Sequence, residues 1–278
     1  MRRKHATMGW MVAAMLPFVG LMGGCPSVSS PPSGSGSGGT DGDGDTTTTP
    51  QAFTDASVVR GGTLYDNFWK AAGLDAPTGD HPLWASRPDT TSNTRTGADT
   101  WRCKECHGWD YKGVDGVYGS GDHRTGIAGI FGTTKTPNEI FDLLHNDHGY
   151  GDTGFDLGDD NIWDLVKFVL EGQIDTTTII DSQGAFTGNE TAGQTIFESG
   201  DGVGLACSVC HGADGLTLEF DEGEFLATVA VDNPWEFQHK VRFGQPGVAG
   251  MPSIVADGGS NVDVADLGAY SQTLPLAP

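Results

Sequence analysis

Two pentapeptides hold the side chains of this chain that are best suited to redox chemistry. Both follow the pattern Cys-x-x-Cys-His, with these members: Cys103, Cys106 and His107 in the first, and Cys207, Cys210 and His211 in the second. This pattern attaches a c-type haem: the two thiols form thioethers with the haem vinyl groups, and the histidine binds the iron. The sequence therefore predicts two covalently bound haem c groups.

Two other kinds of site also use a Cys-x-x-Cys pair, namely half of a zinc site and a thioredoxin-like redox pair. A zinc site would need further Cys or His pairs at close spacing, and none follow either motif. The fifth cysteine, Cys25, lies far from both motifs, so no thiols remain for a disulfide framework. Two copies that each end in histidine favour haem attachment over both alternatives.

The N-terminus has the features of a bacterial export signal. A basic start is followed by an apolar stretch over residues 9–22, which is too short for a comfortable transmembrane span. Residues 21–25 resemble a lipobox, in which Cys25 is acylated and becomes the first residue of the mature chain. Ordinary signal-peptide cleavage near the same place is the alternative. Because bacteria attach haem c after export, the signal and the motifs support each other.

Composition divides the chain into four segments. Residues 1–24 form the predicted lipoprotein signal peptide, and residues 25–51 form a lipid-anchored linker of Ser, Gly, Thr, Asp and Pro that has almost nothing to bury. Two domains follow, at 52–177 and 183–278. By resemblance to other lipoproteins, Ser27 at the second mature position favours the outer membrane over the inner one, with the protein facing the periplasm.

The chain is strongly acidic, with a formal net charge of −22. The signal peptide holds three of the 15 basic residues and no acidic residue, which leaves twelve basic against 37 acidic residues and a charge of −25. Such a charge argues against nucleic acid and against an anionic membrane surface as partners. It favours redox partner proteins with basic docking surfaces, or alternatively a saline habitat, and it leaves the lipid anchor as the contact with a membrane.

The sequence around the two motifs repeats in the same order. Short amphipathic segments precede the motifs, at 62–69 and 192–197. After each motif comes a predicted helix start, at 136–139 and 233–236, with a capping residue, a proline at the first helical position and a glutamate three residues after the cap. The repeat predicts two related units whose motifs lie 104 residues apart.

Each unit closes with a predicted C-terminal helix, at 160–170 and 262–274. The resulting order is helix, Cys-x-x-Cys-His motif, loop, helix, ligand loop and final helix. In this order the chain resembles a tandem dihaem class I cytochrome c over residues 55–276, as in bacterial c-type cytochrome lipoproteins. The resemblance implies an all-α fold of two class I cytochrome c domains in tandem, each wrapped around one covalently bound haem c. Residues 100–113 are similar to a recurring subgroup of such bacterial domains.

The same resemblance implies a methionine as the second axial ligand, on the loop before the last helix. Met251, followed by Pro252, stands at this place and is the only methionine after the signal peptide. A methionine that merely fills the core or the surface is the alternative. The second haem is therefore predicted to have His211 and Met251 as its axial ligands.

The first unit has no methionine, so a histidine is the expected second ligand. His148 precedes Leu165 by 17 residues, much as Met251 precedes Leu267 by 16, and this spacing favours His148. His123 is the alternative ligand.

Three further possibilities bear on the first haem. His123 could instead form a hydrogen bond near a haem propionate, and the iron could be open and five-coordinate. His145 is expected to be a partly exposed helix residue, and His81, which precedes the motif, is expected to be structural.

Electron transfer between redox partners is the function that this pattern favours, because an iron with two protein ligands has no free position for a substrate. The alternative is a haem-containing subunit of a redox enzyme, or a peroxidase-like enzyme if the first haem is five-coordinate. Thiosulfate dehydrogenases use a cysteine axial ligand, and this chain has no spare cysteine for that role. A haem-based gas sensor is a third class, but no signalling domain accompanies the motifs.

Overall fold

A computed structural model describes residues 49–151, 154–248 and 250–278. In those residues the chain is all-α, and the β-type pairing there is limited to isolated bridges. The α-helices are α1 (Gln51–Asp55), α2 (Val58–Ala72), α3 (Cys103–His107), α4 (Pro137–Asp142), α5 (Asp159–Lys167), α6 (Glu190–Ser199), α7 (Ser208–His211), α8 (Leu226–Asp232), α9 (Pro234–Phe243) and α10 (Asn261–Ser271). The predicted signal peptide, Cys25 and the linker up to residue 48 lie outside the described residues.

Shorter helical turns join these helices. Two are π-helical turns that continue α4 and α5, at Leu143–Asp147 and Phe168–Gly172. Four are 3-10 turns, at Trp84–Ser86, Gly97–Trp101, Val117–Gly119 and Thr176–Thr178. In the part of the chain that the structure describes, no helix combines the length and the apolar character that crossing a bilayer requires. Below, the first half means the described residues up to 177, and the second half means those from 183 onward.

The two predicted helix starts after the motifs are confirmed. Thr136 accepts a hydrogen bond from the Glu139 backbone N–H, and the Glu139 carboxylate accepts one from the Thr136 N–H, so α4 begins with a complete capping box. The Asn233 side chain accepts from the Glu236 N–H at the start of α9. Both helices have proline at their first position, where no hydrogen bond from a backbone N–H is needed.

The first half is organised by the close crossing of α2 and α5. A Cβ atom at Gly61 would overlap the carbonyl oxygen of Asp164, so only glycine lets the two backbones approach this closely. The Asp164 side chain also accepts a hydrogen bond from the Ser57 backbone N–H at 2.6 Å, just before α2 begins. Helix α5 thereby fixes the position at which α2 begins.

The second half repeats this crossing with different residues. A Cβ atom at Gly193 in α6 would overlap the carbonyl oxygen of Asp266 in α10. The Asp266 carboxylate accepts from the Asn189 backbone N–H at 2.6 Å, directly before α6. The internal repeat seen in the sequence therefore extends to the way the first and last helices of each half are packed.

Replacing Gly61 by alanine is expected to destabilise the protein by roughly 1–3 kcal/mol, because the new methyl group forces α2 and α5 apart. Denaturant unfolding measures the change. Lys70→Ala, at an exposed position of the same helix, is the control and is expected to change stability by less than about 0.5 kcal/mol. Equal stability of the two variants would contradict the tight crossing.

Each half has its own hydrophobic core. The buried members of the first core include Leu64, Tyr65, Phe68, Trp101, Tyr111, Ile162, Leu165 and Phe168. The buried members of the second include Phe186, Phe197, Phe237, Val241, Val264 and Leu267. Phe243, at the end of α9 in the second half, belongs to the first core and packs on Phe168 with ring centroids 5.3 Å apart. The two halves therefore share part of one packed interior.

A buried histidine joins the two halves. His239 in α9 is fully buried, and its Nε2 lies 2.8 Å from the carbonyl oxygen of Gly62 in α2. Because a carbonyl only accepts, Nε2 carries the proton, and Nδ1 accepts from the Tyr111 hydroxyl at 2.9 Å. Burial lowers the pKa of His239 to about 3, so the ring is neutral and both nitrogens are satisfied across the contact between the halves.

A buried ionic cluster lies beside this histidine. Asp66 of α2 pairs with Lys240 of the second half at 2.7 Å and with Arg102, next to the first motif. Burial alone would raise the pKa of Asp66, but the Lys240 and Arg102 charges lower it to about 2. The carboxylate is therefore ionised at neutral pH and links both halves to the first motif.

Asp66 should make stability depend on pH between about 4 and 2. Its pKa is lower in the folded state than the value of about 3.9 in an unfolded chain, so its contribution is complete above pH 4 and disappears as the pH falls through 2. The shift corresponds to roughly 2–3 kcal/mol. Urea unfolding of Asp66→Asn at several pH values is expected to lack this dependence. Asp75→Asn, an exposed control, should retain it; identical pH profiles for the two variants would contradict the assignment.

Candidate functional site

The two Cys-x-x-Cys-His motifs adopt the same local backbone geometry. In the first, the Gly108 N–H donates to the Lys104 carbonyl at 2.9 Å; in the second, the Gly212 N–H donates to the Ser208 carbonyl at 3.0 Å. The carbonyl of each motif histidine also accepts a backbone N–H, at 2.9 Å in the first and 3.0 Å in the second. Both glycines have positive φ, +75° and +79°, which a side chain would disfavour. The motif is therefore built twice as one short helical turn closed by glycine.

The four motif cysteines are partly buried, and burial raises the pKa of those thiols that show a clear shift. It raises the pKa of Cys103 and Cys106 to about 12 and that of Cys207 to about 11. A thioredoxin-like pair needs a lowered thiol pKa, so these environments are unlike that of a reactive redox pair.

The zinc alternative lacks additional ligands in the described part of the chain. No group of three or more His, Cys, Asp or Glu side chains that could hold a metal ion occurs there. A tetrahedral zinc site needs three or four such side chains, whereas a haem iron takes at most two axial residues from the protein.

His107, the histidine of the first motif, is oriented by a backbone carbonyl. Its Nδ1 lies 2.8 Å from the Ala128 carbonyl oxygen, and because a carbonyl only accepts, Nδ1 carries the proton. The lone pair of the neutral ring is then on Nε2. Burial lowers the pKa of His107 to about 4, which keeps the ring neutral. This is the arrangement by which proteins orient a histidine that binds a metal.

His148 lies beside His107 and is prepared in the same way. It follows the π-helical turn Leu143–Asp147, and its Nδ1 lies 3.1 Å from the Leu143 carbonyl oxygen, which again leaves the lone pair on Nε2. Neither Nε2 atom has a hydrogen-bond partner within the described residues.

The centroids of the two rings are 6.4 Å apart, and the ring planes differ by 34°. Two imidazoles that share one metal, each nitrogen about 2.0 Å from it, have centroids roughly 6 Å apart. The spacing of His107 and His148 thus fits two axial ligands of one iron.

His123, the alternative ligand, takes part in a different cluster. Its Nδ1 lies 3.1 Å from an Arg95 guanidinium nitrogen, its ring packs edge-on against Tyr118 at 5.9 Å, and 42% of its side chain is exposed. Glu105 of the first motif lies 3.9 Å away. Because Arg95 can only donate, the lone pair of His123 Nδ1 is already used. The structure brings His148, rather than His123, next to His107.

Glu105 is the buried centre of that cluster. Its carboxylate pairs with Lys104 at 2.8 Å and Arg95 at 3.0 Å, and it accepts from the Asn93 amide at 2.7 Å. Burial alone would raise its pKa, but the Lys104 charge and the hydrogen bonds from Lys104 and Asn93 lower it well below the usual range. Lys104 and Glu105, which lie between the cysteines of the first motif, therefore form their contacts inside the protein.

The second motif differs from the first in its exposure and in the partners of its histidine. Val209, between the two cysteines, is 63% exposed, whereas Glu105 at the corresponding place is 3% exposed. His211 is buried with its ring edge against Phe220 at 5.7 Å, and its Nδ1 has no hydrogen-bond partner in the described residues. The two sites share a backbone plan, but their surroundings differ.

Met251, the predicted partner of His211, lies on the loop between α9 and α10. It lines a cavity of about 340 Å³ together with residues 243–248 and with Thr63 and Ala71 of α2. His211 does not line this cavity, so the structure does not join these two residues in one pocket. The placement of Met251 at the contact between the halves is a feature that the sequence did not indicate.

Sequence reasoning missed the groups that orient the histidines of the first site. The carbonyls of Ala128 and Leu143 are backbone atoms, and any residue type supplies them, so no signal in the sequence marks them. The expected structural role of His81 is confirmed, since both of its ring nitrogens have hydrogen-bond partners. The expected partial exposure of His145 is also confirmed; its ring stacks on Phe141 at 5.6 Å.

Comparison with known proteins gives no relative for this chain: no protein family, no curated protein and no solved structure matches it.

Proposed function

We propose that the chain is a dihaem c-type cytochrome that transfers electrons between redox partner proteins. Haem c is attached through one pair of cysteines in each half, as follows: Cys103 and Cys106, then Cys207 and Cys210. The residues that would hold the iron are His107 and His148 in the first half and His211 and Met251 in the second. The observation that carries the proposal is the pair His107 and His148, whose ring centroids are 6.4 Å apart beside the first motif.

The chain's own residues account for how such a site works. Ala128 and Leu143 hold the protons of the two imidazoles on Nδ1, so that both Nε2 lone pairs are available. The Tyr150 hydroxyl donates to the Trp101 carbonyl at 2.9 Å. Both side chains belong to the hydrophobic core against which Cys103 packs. When bound, haem iron supplies the chemistry by alternating between its ferric and ferrous states.

The surroundings of the histidines in the two sites favour different reduction potentials for the two haems. A hydrogen bond from Nδ1–H to a carbonyl makes an imidazole a stronger donor, which stabilises the ferric state. Both histidines of the first site have such a partner, whereas the buried Nδ1 of His211 has none among the described residues. Methionine as an axial ligand raises the potential further. We therefore place the first haem at lower potential and expect electrons to pass from it to the second.

The proposed setting is the bacterial cell envelope. The chain is anchored through lipidated Cys25 and faces the periplasm, with the outer membrane favoured over the inner one. The formal charge of −25 after removal of the signal peptide favours partners with basic docking surfaces and disfavours nucleic acid. The exposed Val209 makes the second motif the more accessible of the two.

A haem-containing subunit of a redox enzyme, or a peroxidase-like enzyme, is the second candidate. It requires an iron with an open position. The contact of His123 with Arg95 keeps His123 out of the first site, so the choice depends on whether His148 binds.

Haem analysis and a redox titration of the full chain test the proposal. Two haems per chain and two one-electron waves at different potentials are expected, with slow binding of carbon monoxide to the ferrous protein. Rapid, stoichiometric binding at one haem would favour the enzyme instead. A chain without covalent haem would overturn both candidates.

A further inference from the structure

His81 is a buried histidine whose two ring nitrogens are both engaged. Its Nε2 lies 3.0 Å from the carbonyl oxygen of His148, and because that oxygen only accepts, Nε2 carries the proton. The Leu83 backbone N–H donates to Nδ1 at 3.1 Å. These two contacts fix the tautomer of His81 and direct its N–H at the backbone of His148.

The ring of His81 is held in place by its surroundings. Its own backbone N–H donates to the Thr100 hydroxyl at 2.8 Å. The ring packs edge-on against Trp101, with centroids 4.6 Å apart, and lies 6.0 Å from the Tyr150 ring. Only 7% of the residue is exposed. A side chain held this firmly can act as a fixed support for a neighbouring loop.

The loop that carries His148 is supported from two sides. On one side, the Leu143 carbonyl oxygen lies 2.9 Å from the His148 backbone nitrogen and 3.1 Å from its Nδ1. On the other side, the His148 carbonyl receives the N–H of His81. The first set of contacts fixes which ring nitrogen is free, and the second fixes where the residue sits relative to His107.

We propose that His81 is a positioning residue that holds His148 at binding distance from the first haem iron. The inference rests on the proposed function, and it adds that coordination by His148 depends on one hydrogen bond to its backbone. Without that bond, the loop moves and the iron spends more time with an open position.

Two substitutions of His81 separate the two contacts of its ring. An asparagine oxygen can replace Nδ1 and accept from Leu83, but its side chain is too short to reach the His148 carbonyl. A glutamine amide can replace Nε2 and donate to that carbonyl, but it gives up the contact with Leu83. His81→Asn and His81→Gln therefore form a matched pair, and thermal unfolding of each reports its general effect on the fold.

The measurements are the rate of carbon monoxide binding to the first ferrous haem and the electron paramagnetic resonance spectrum of the ferric protein. A lost hydrogen bond raises the open population, and hence the binding rate, by about fivefold to tenfold in His81→Asn. His81→Gln is expected to stay within about twofold of the unaltered protein. The low-spin signal of the first haem is likewise expected to change more in His81→Asn than in His81→Gln.

Equal rates and spectra for His81→Asn, His81→Gln and the unaltered chain would overturn the inference, as would equal changes in both variants. If His81→Asn does not fold, Thr100→Val removes the acceptor of the His81 backbone N–H and must move the rate in the same direction. Failure of the proposed function is seen separately: the unaltered protein would then lack a bis-histidine signal, or His148→Ala would leave that signal unchanged.

Discussion

Replacing Cys103 and Cys106 together by serine should remove one haem from each chain and leave the other attached. A serine hydroxyl does not form the thioether bond, so the first haem loses its covalent attachment while the second motif is unaltered. The paired variant with Cys207→Ser and Cys210→Ser is expected to lose the other haem. In each case the haem count falls from two per chain to one, measured as pyridine haemochrome absorbance and as the mass of the intact chain.

Each double variant should lose a different wave of the redox titration. The first is expected to retain the wave at higher potential, and the second the wave at lower potential. Cys25→Ser is the control, because it removes the lipidation site and leaves both motifs in place; it should keep two haems. A chain that still carried two haems after either double substitution would show that the motifs are not attachment sites.

The two serine variants also differ in what they disturb. Cys103 contacts the first hydrophobic core, which is shared between the halves through Phe243. Cys207 packs against the second core, which lies within its own half. Loss of the first haem is therefore expected to lower the free energy of unfolding of the whole chain more than loss of the second.

Part of this architecture could be predicted from local sequence patterns. The cap at Thr136 and the proline that follows it are local signals, because their partners lie within four residues. The contact of His239 with Tyr111 joins residues 128 apart, and no local pattern reports it. The crossing at Gly61 depends on a backbone oxygen of Asp164, which any residue would supply. The helix caps could thus be predicted from the sequence, whereas the packing between distant segments could not.

The second ligand of the first site could likewise be predicted only in part from the sequence. Spacing favours His148 and leaves His123 as the alternative, since both histidines follow His107 along the chain. The two histidines differ in their partners: the Nδ1 of His123 accepts from Arg95, and the Nδ1 of His148 lies 3.1 Å from the Leu143 carbonyl oxygen. The partner is a side chain in the first case and a backbone atom in the second, and neither contact follows from the spacing of the histidines.

Replacing His148 by alanine should convert the first haem from six-coordinate to five-coordinate. The substitution keeps the backbone carbonyl that accepts from His81, so the loop retains that support while the imidazole is lost. If the iron of the unaltered chain is open about 1% of the time, removing the ligand raises the rate of carbon monoxide binding about a hundredfold. The low-spin signal of that haem is expected to become high-spin in the ferric protein.

His123→Ala is the matched control, because it removes the alternative candidate ligand, which also follows the first motif along the chain. It takes a partner away from Glu105 and Arg95 but leaves the pair of imidazoles intact, so the spin state and the binding rate should stay as they are. His148→Met adds a second readout: methionine is a weaker donor to ferric iron, so the lower of the two potentials should rise toward the higher one. If His123→Ala opened the iron and His148→Ala did not, the ligand would be His123, and the distance between the rings of His107 and His148 would reflect packing alone.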